Sequence, residues 1–313
     1  MSSSRLDDLR MVDPVLSTIS QSYTNASMVA EFLFPTVPVD KMAGKIPVFG
    51  KKAFQIIETD RAIRAQSNRI SPEDITLEEF ETTENDVEIA IDYLEEDEAS
   101  DYFRYEQKVA KDLIDILLLG REKDAADIVQ NRDNYSADLK YEPSGTDKWD
   151  DFDGTGDPID DIWNAKTAIV GKIARYPNTM IIGYSAFQSL IKHPKVVSKV
   201  QYSGLANVTT KILAELTGIP NIHVGLSLYS DDGTTFSDVW TDNAIIAYVD
   251  QNEKRNRSEY NPSFGYTFQK KGMPEVDTYF ENGGKIKVVR CTDNYCVKVT
   301  GQDAAYLINN TNS

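Results

Sequence analysis

Residues 98–131 carry an unbroken helical pattern. Tyr102, Tyr105, Val109, Leu113, Ile116 and Leu117 recur at three-and-four spacing, the mark of an amphipathic helix. Asn131-Arg132-Asp133-Asn134 follows, a composition that stops helices. At 1.5 Å rise per residue the element spans on the order of 45–50 Å. A helix that long in a chain of 313 residues suggests a spine rather than a compact globule.

The sequence before the spine changes character three times. Residues 1–45 read as an arm. Asp13-Pro14 pairs an N-cap with a first-turn proline, and Leu16, Ile19 and Tyr23 follow at helical spacing. Phe34-Pro35-Thr36-Val37-Pro38-Val39 must then run extended, because two prolines forbid helix. Residues 45–72 read as a protruding hairpin or loop, with strand-like Lys45–Phe49 and Phe54–Ile57 around Gly50-Lys51-Lys52. Lys45, Lys51, Lys52, Arg61, Arg64 and Arg69 outnumber Glu58 and Asp60, so this patch is locally basic in a chain of net charge −17. Residues 73–101 reverse the sign, with fourteen Asp or Glu and no Lys or Arg. Within them Val87–Asp92 alternates as a half-buried strand does. Two readings of the carboxylates stand open: a solvated face, or a face that receives the basic hairpin of a second copy.

After the spine comes a polar loop at 136–157, then a mixed α/β unit over about 150–280. Asp157-Pro158 opens an amphipathic helix carrying Ile159, Ile162, Trp163, Ile169, Val170 and Ile173. Thr179–Ile182 is a strand. Ser185-Ala186-Phe187-Gln188 fits a capping box for a second helix, which His193-Pro194 stops. Thr209–Leu216 is a third helix, closed by Gly218 and Pro220. Strands at Ile222–Val224 and Ala244–Val249 follow. Residues 283–300 read as a hairpin turning at Thr292-Asp293-Asn294-Tyr295. Cys291 and Cys296 flank that turn, a placement compatible with cross-strand neighbours. In a reducing cytoplasm they read as small buried apolar groups rather than a disulfide.

The chemistry is sparse. With two histidines and two cysteines at Cys-x4-Cys, a four-ligand zinc site is not supplied. No phosphate loop, dinucleotide fingerprint or Gly-x-Ser-x-Gly elbow occurs. His193 and His223 suit structural positions, so no nucleophile has an evident base. Asp150-Asp151-Phe152-Asp153-Gly154 and Asp231-Asp232-Gly233 lack the spacing of a calcium loop and read as turns. The acidic balance disfavours nucleic-acid binding. No run approaches the roughly 20 apolar residues of a bilayer span, and no signal layout opens the chain. The expected protein is soluble, made in the cytoplasm, without cofactor, metal or membrane partner.

The order of elements resembles the major capsid proteins of tailed bacteriophages with the Hong Kong 97-type fold. Asp13-Pro14-Val15-Leu16 through Phe32-Leu33-Phe34-Pro35-Thr36-Val37-Pro38-Val39 is similar to that family's N-terminal arm. Lys45–Phe54 resembles the first strand of its extended loop, and 98–131 its spine helix. Tyr176–Gly183 through His193-Pro194 and Leu213–Gly225 resemble successive elements of its axial domain. Pro262–Phe268 and Ala304–Asn310 complete the pattern. The resemblance covers about residues 13–310 and rests on many modest matches in order.

What the resemblance implies is an α+β fold: an arm at 1–44, an extended β-hairpin loop at 45–75, and a peripheral domain at 76–150 containing the spine. An axial domain at 151–280 and a C-terminal hairpin and tail at 281–313 complete it. It implies a structural subunit, not an enzyme, that self-assembles into pentamers and hexamers of an icosahedral shell around double-stranded DNA. The shell is assembled in the host cytoplasm and becomes the virion. The arm motif starts by residue 13, so a separate scaffold protein is expected, beside a portal and a decoration protein. The loop of one subunit is expected over its neighbour, with Phe49, Phe54 and Ile56 as apolar anchors and Lys51, Lys52, Arg61 and Arg64 facing Glu78, Glu79, Glu81 and Glu84. Two other readings are an encapsulin-type nanocompartment shell and a cytoplasmic α/β metal-assisted hydrolase built on 150–280.

Overall fold

A computed structural model describes residues 11–22, 25, 27–48, 60, 76–98, 102–201, 208–252 and 261–313. Its axis is the helix Tyr102–Gln130, 29 residues and about 43 Å long. A separate short helix, Tyr93–Glu98, precedes it. The buried stripe of the spine runs through Val109, Ala110, Leu113, Ile114 and Leu117, then through Glu122, Ala125, Ala126 and Val129. Ile116, expected on that stripe, lies outside it and is 54% exposed; Ile114 takes the inward place.

The two halves of the spine cover two different sheets. Its first half packs with Leu16, Ile91, Val276, Val289 and Cys291 on a six-stranded sheet. Its second half packs with Ile181, Ile245, Ala247 and Leu307 on a five-stranded sheet. The opposite face of the five-stranded sheet is closed by helix Pro158–Ile173 and its neighbours, through Ile159, Ile162, Ala165 and Ile169.

The five-stranded sheet is ordered Lys140–Tyr141, Ala305–Ile308, Ala244–Ala247, Thr179–Gly183, Asn221–Gly225. The six-stranded sheet is centred on Ile286–Val299. Along one edge of that strand lie Glu275–Glu281 and Gly265–Lys270; along the other lies Thr83–Asp92. The arm strand Thr36–Val39 adds in parallel to Gly265–Lys270. Sheet membership therefore crosses residues 150 and 280, since 140–141 and 305–308 join the five-stranded sheet while 265–281 join the six-stranded one.

Local chemistry explains the helix starts. Asp13 Oδ1 accepts from the amides of Val15 (2.8 Å) and Leu16 (3.0 Å), opening helix Pro14–Ser22. Asp157 does the same for Ile159 and Asp160. Thr209 caps Thr210–Thr217, which Gly218 ends in a left-handed conformation. The capping box expected at Ser185 does not form. The helix begins at Tyr184 without a side-chain cap, and Ser185 Oγ instead accepts from Asn312 Nδ2 at 2.7 Å.

The hairpin expected at 283–300 is one strand of 14 residues. Its turn-like centre stays extended because distant partners satisfy it. Gln269 Nε2 donates to Asp293 Oδ1 at 2.7 Å, and Tyr295 OH donates to Asp124 on the spine at 2.8 Å. Cys291 and Cys296 therefore lie along one strand, roughly 16 Å apart at 3.3 Å per residue, beyond disulfide reach. Both are free, and burial pushes the Cys291 thiol up to about 12.

Candidate inter-subunit surfaces

The expected contact residues fall in two groups. Phe49, Lys51, Lys52, Phe54, Ile56, Arg61 and Arg64 lie outside the described residues. The segment that holds them springs from a root hairpin, in which Ala43–Val48 pairs antiparallel with Thr76–Glu81. One face of the root is bolted to the six-stranded sheet. Ile46 is 1% exposed, and Phe80 stacks on Phe268 with ring centroids 4.6 Å apart. Val37 and Tyr266 complete this cluster. The base of the loop is thus fixed by apolar burial, the largest stabilising term available to it.

The carboxylate stretch is not one surface. Glu78 and Glu79 belong to the root and turn back on their own chain. Glu79 pairs with Lys45 at 3.2 Å and Glu78 with Lys298 at 3.4 Å. Glu81 is exposed at the root's end. Glu84, Asp86, Glu88 and Asp92 lie on strand Thr83–Asp92, whose burial alternates from Glu84 to Ile91. Glu95, Glu96, Asp97 and Glu98 lie on helix Tyr93–Glu98, and Glu73, Asp74 and Asp101 lie outside the described residues. Val87, Ile89 and Ile91 face the spine, while Glu84, Asp86 and Glu88 face outward.

That outward face continues across the sheet. Glu84 lies opposite Asn294, whose Nδ2 is 3.5 Å from its carboxylate. Glu88 accepts from Tyr279 OH at 2.9 Å, a bond that raises the tyrosine's pKa. Arg290, between them, forks onto Asp277 through Nε–Oδ1 at 3.1 Å and Nη2–Oδ2 at 2.6 Å. Asp277 is fully buried. Sequence reading missed this pair, because the presumed hairpin hid that residues 277 and 290 are cross-strand partners.

A second surface was also missed. Phe32, Leu226, Leu228 and Phe236 are each about half exposed or more. Phe32 and Leu226 line a cleft of about 940 Å³ between the arm, the spine and strand Asn221–Gly225. Phe32 stacks flat on His223, with centroids 3.7 Å apart. Burial lowers the pKa of His223. The other histidine, His193, accepts at Nδ1 from the amide of Lys195 and ends helix Tyr184–Lys192. Among the described residues no group of three His, Cys, Asp or Glu could hold a metal ion.

Comparison with known proteins is decisive. Residues 121–280 match the family model described as phage major capsid protein E. The major capsid protein of Burkholderia phage BcepMu is 43% identical over 310 residues, covering 98% of this chain and 99% of that one. The chain belongs to the phage major capsid protein family. It is a structural subunit of the virion capsid. Its fold is shared with solved structures. A phage-related protein of Bordetella bronchiseptica superposes with TM-score 0.81 at 30% identity, over 96% of this chain and 98% of that one. A capsid structure of cyanophage P-SCSP1u superposes with TM-score 0.53 at 10% identity, over 92% and 89%, a likeness of fold alone. The α+β, Hong Kong 97-type architecture read from the order of elements is the one this capsid subunit adopts.

Proposed function

We propose that copies of this subunit assemble as pentamers and hexamers of a closed shell around double-stranded DNA, without catalysis. In this reading the basic segment between the two root strands lies over the carboxylate face of the next copy. The observation that carries it is the outward face of strand Thr83–Asp92, where Glu84, Asp86 and Glu88 are exposed and point away from the subunit's own core. A face of acceptors is complemented by Lys51, Lys52, Arg61 and Arg64. Opposed charge sets register and encounter rate, and apolar anchors such as Phe49, Phe54 and Ile56 supply most of the affinity. Glu78 and Glu79, engaged within the root, are secondary in this reading. The structural placement of both histidines supports a role without chemistry. Scaffold, portal and decoration proteins are the further partners that the family's way of building virions implies.

The test is negative-stain microscopy of the expressed protein, alone and with the products of neighbouring genes. Closed shells or rings are expected for the parent chain. Reversing Lys51, Lys52, Arg61 and Arg64 to Glu impairs assembly, as does reversing Glu84, Asp86 and Glu88 to Lys, and combining the two sets restores it. Normal shells from either single set would refute the charge pairing. A uniform monomer or dimer under every condition would refute the shell.

A further inference from the structure

Glu122 is a carboxylate inside the molecule, 2% exposed, on the buried stripe of the spine. Three separate segments converge on it. The arm donates two consecutive amides, Val29 N to Oε1 and Ala30 N to Oε2, both at 2.8 Å. Trp240 Nε1 donates to Oε1 at 2.6 Å, and Ser227 Oγ approaches it at 3.5 Å. Eight residues on, about 12 Å along the helix, Gln130 grips the same loop. Its Nε2 donates to Val239 O at 2.9 Å. Its Oε1 accepts from Thr241 N (2.9 Å), Thr241 Oγ1 (2.8 Å) and Asn243 Nδ2 (2.9 Å).

The other side of that loop is pressed onto the five-stranded sheet. A Cβ at Gly183 would stand 1.6 Å from Thr241 O, and one at Gly225 would stand 2.4 Å from the Trp240 ring. Both strand ends are therefore glycine where the loop crosses them. Gly183 N donates to Asn243 O at 3.0 Å, and Asn310 N to Asn243 Oδ1 at 3.1 Å. The segment 239–243 is wedged between the spine and the ends of two strands, with polar partners on both sides.

A buried charge is weak evidence for stability, because desolvation offsets most of its attraction. The best-attested use of such a group is to select one arrangement among several of similar packing. An apolar wedge can slide; one held by directional bonds to fixed groups has one seat. We infer that segment 239–243 sets the angle between the spine helix and the five-stranded sheet, with Glu122 as the positioning residue that seats it against the arm. Shell curvature is then fixed inside the subunit as well as at its contacts. That last step rests on the shell reading above; the angle does not.

The test uses the full chain with Glu122→Gln and, separately, Trp240→Phe. Glutamine keeps the volume but turns an amide N–H toward either Ala30 N or the Val29 and Trp240 donors. Trp240→Phe leaves the arm amides their carboxylate and frees the wedge alone. Hydrogen exchange by mass spectrometry reads the subunit, small-angle scattering its angle, and microscopy the particles. Glu122→Gln is expected to speed exchange about tenfold or more at 28–31 and 239–243, as a local opening does. The scattering profile shifts and particle diameters broaden. Trp240→Phe speeds exchange at 239–243 only. Unchanged exchange and scattering in Glu122→Gln overturn the inference, as do uniform particles of parental diameter. A rise spread over the whole chain also overturns it, since Glu122 would then hold the fold rather than the angle. If the parent chain forms no shells, the shell reading fails while exchange and scattering still decide the wedge.

Discussion

The five-stranded and six-stranded sheets share one helix and differ in how they are covered. In the first, every residue of Thr179–Gly183, Ala244–Ala247 and Ala305–Ile308 is buried, with the spine on one face and Pro158–Ile173 on the other. In the second, Thr83–Asp92 buries Val87, Ile89 and Ile91 only in part or at one end, and turns Glu84, Asp86 and Glu88 to solvent. A sheet closed on both faces reads as continuous apolar sequence, and one closed on a single face as alternation. The first is built to hold its shape. The second carries the root hairpin on Phe268 at one end of its outer face and leaves the carboxylates of Thr83–Asp92 in solvent, where the proposed subunit contact would be made.

The largest expected effect tests this contrast directly. Ile245 is fully buried among Ile181, Ala247 and Leu307, and Ile245→Ala should cost about 3–4 kcal/mol. Ile89 is half-buried against the spine, and Ile89→Ala should cost about 1–2 kcal/mol. Urea unfolding midpoints measure both. Equal losses would mean that the second sheet is covered as completely as the first.

The next effect probes the polar exception within the second sheet. Asp277 is buried, and Arg290 keeps contact with solvent through about a quarter of its side chain. Asp277→Asn leaves the guanidinium without its fork, at a cost of about 2 kcal/mol once partial solvation is allowed for. Replacing both residues with apolar ones should recover most of that loss in the same unfolding assay. Failure to recover would show that the pair is a net stabiliser.

Much of this was legible because the deciding physics is local. The caps at Asp13 and Asp157 act within three residues, and the spine's stripe repeats within one turn. The central hairpin was misread because Thr292-Asp293-Asn294-Tyr295 has a turn's composition while its bonding partners, Gln269 and Asp124, are far away in sequence. The carboxylates of 73–101 were countable from sequence, yet only the alternation over Val87–Asp92 gave any of them a direction. Pairing with Ala43–Val48 in one part and Ile286–Val299 in the other decides which point inward and which outward. Glu122 and Gln130 look like any polar residues of an amphipathic helix, and only the fold brings the arm and the wedge to them.

The smallest expected effect sharpens the contrast from the other side, since the five-stranded half is not wholly apolar. Asp161, on helix Pro158–Ile173, accepts from Trp149 Nε1 at 2.9 Å. Burial is the main cause that raises its pKa from 3.8 to about 6; the Trp149 bond works against it, and Asp157, Asp147 and Asp160 add to it. The folded chain therefore keeps a proton on Asp161 between pH 4 and 6 where the unfolded chain has lost it. By linkage, stability is greatest below the unfolded value, falls as pH rises through this window, and is level above about 6. Full burial would make that fall about 3 kcal/mol. Asp161 is only partly shielded from water, which brings it to about 1 kcal/mol. Asp161→Asn keeps an acceptor for Trp149 and removes the ionisation. Its unfolding free energy should match the parent at pH 4 and exceed it by about 1 kcal/mol at pH 7. A parallel pair of pH profiles would mean that this carboxylate is as well solvated as Glu84 and Glu88, and the contrast between the two halves would narrow to their apolar faces alone.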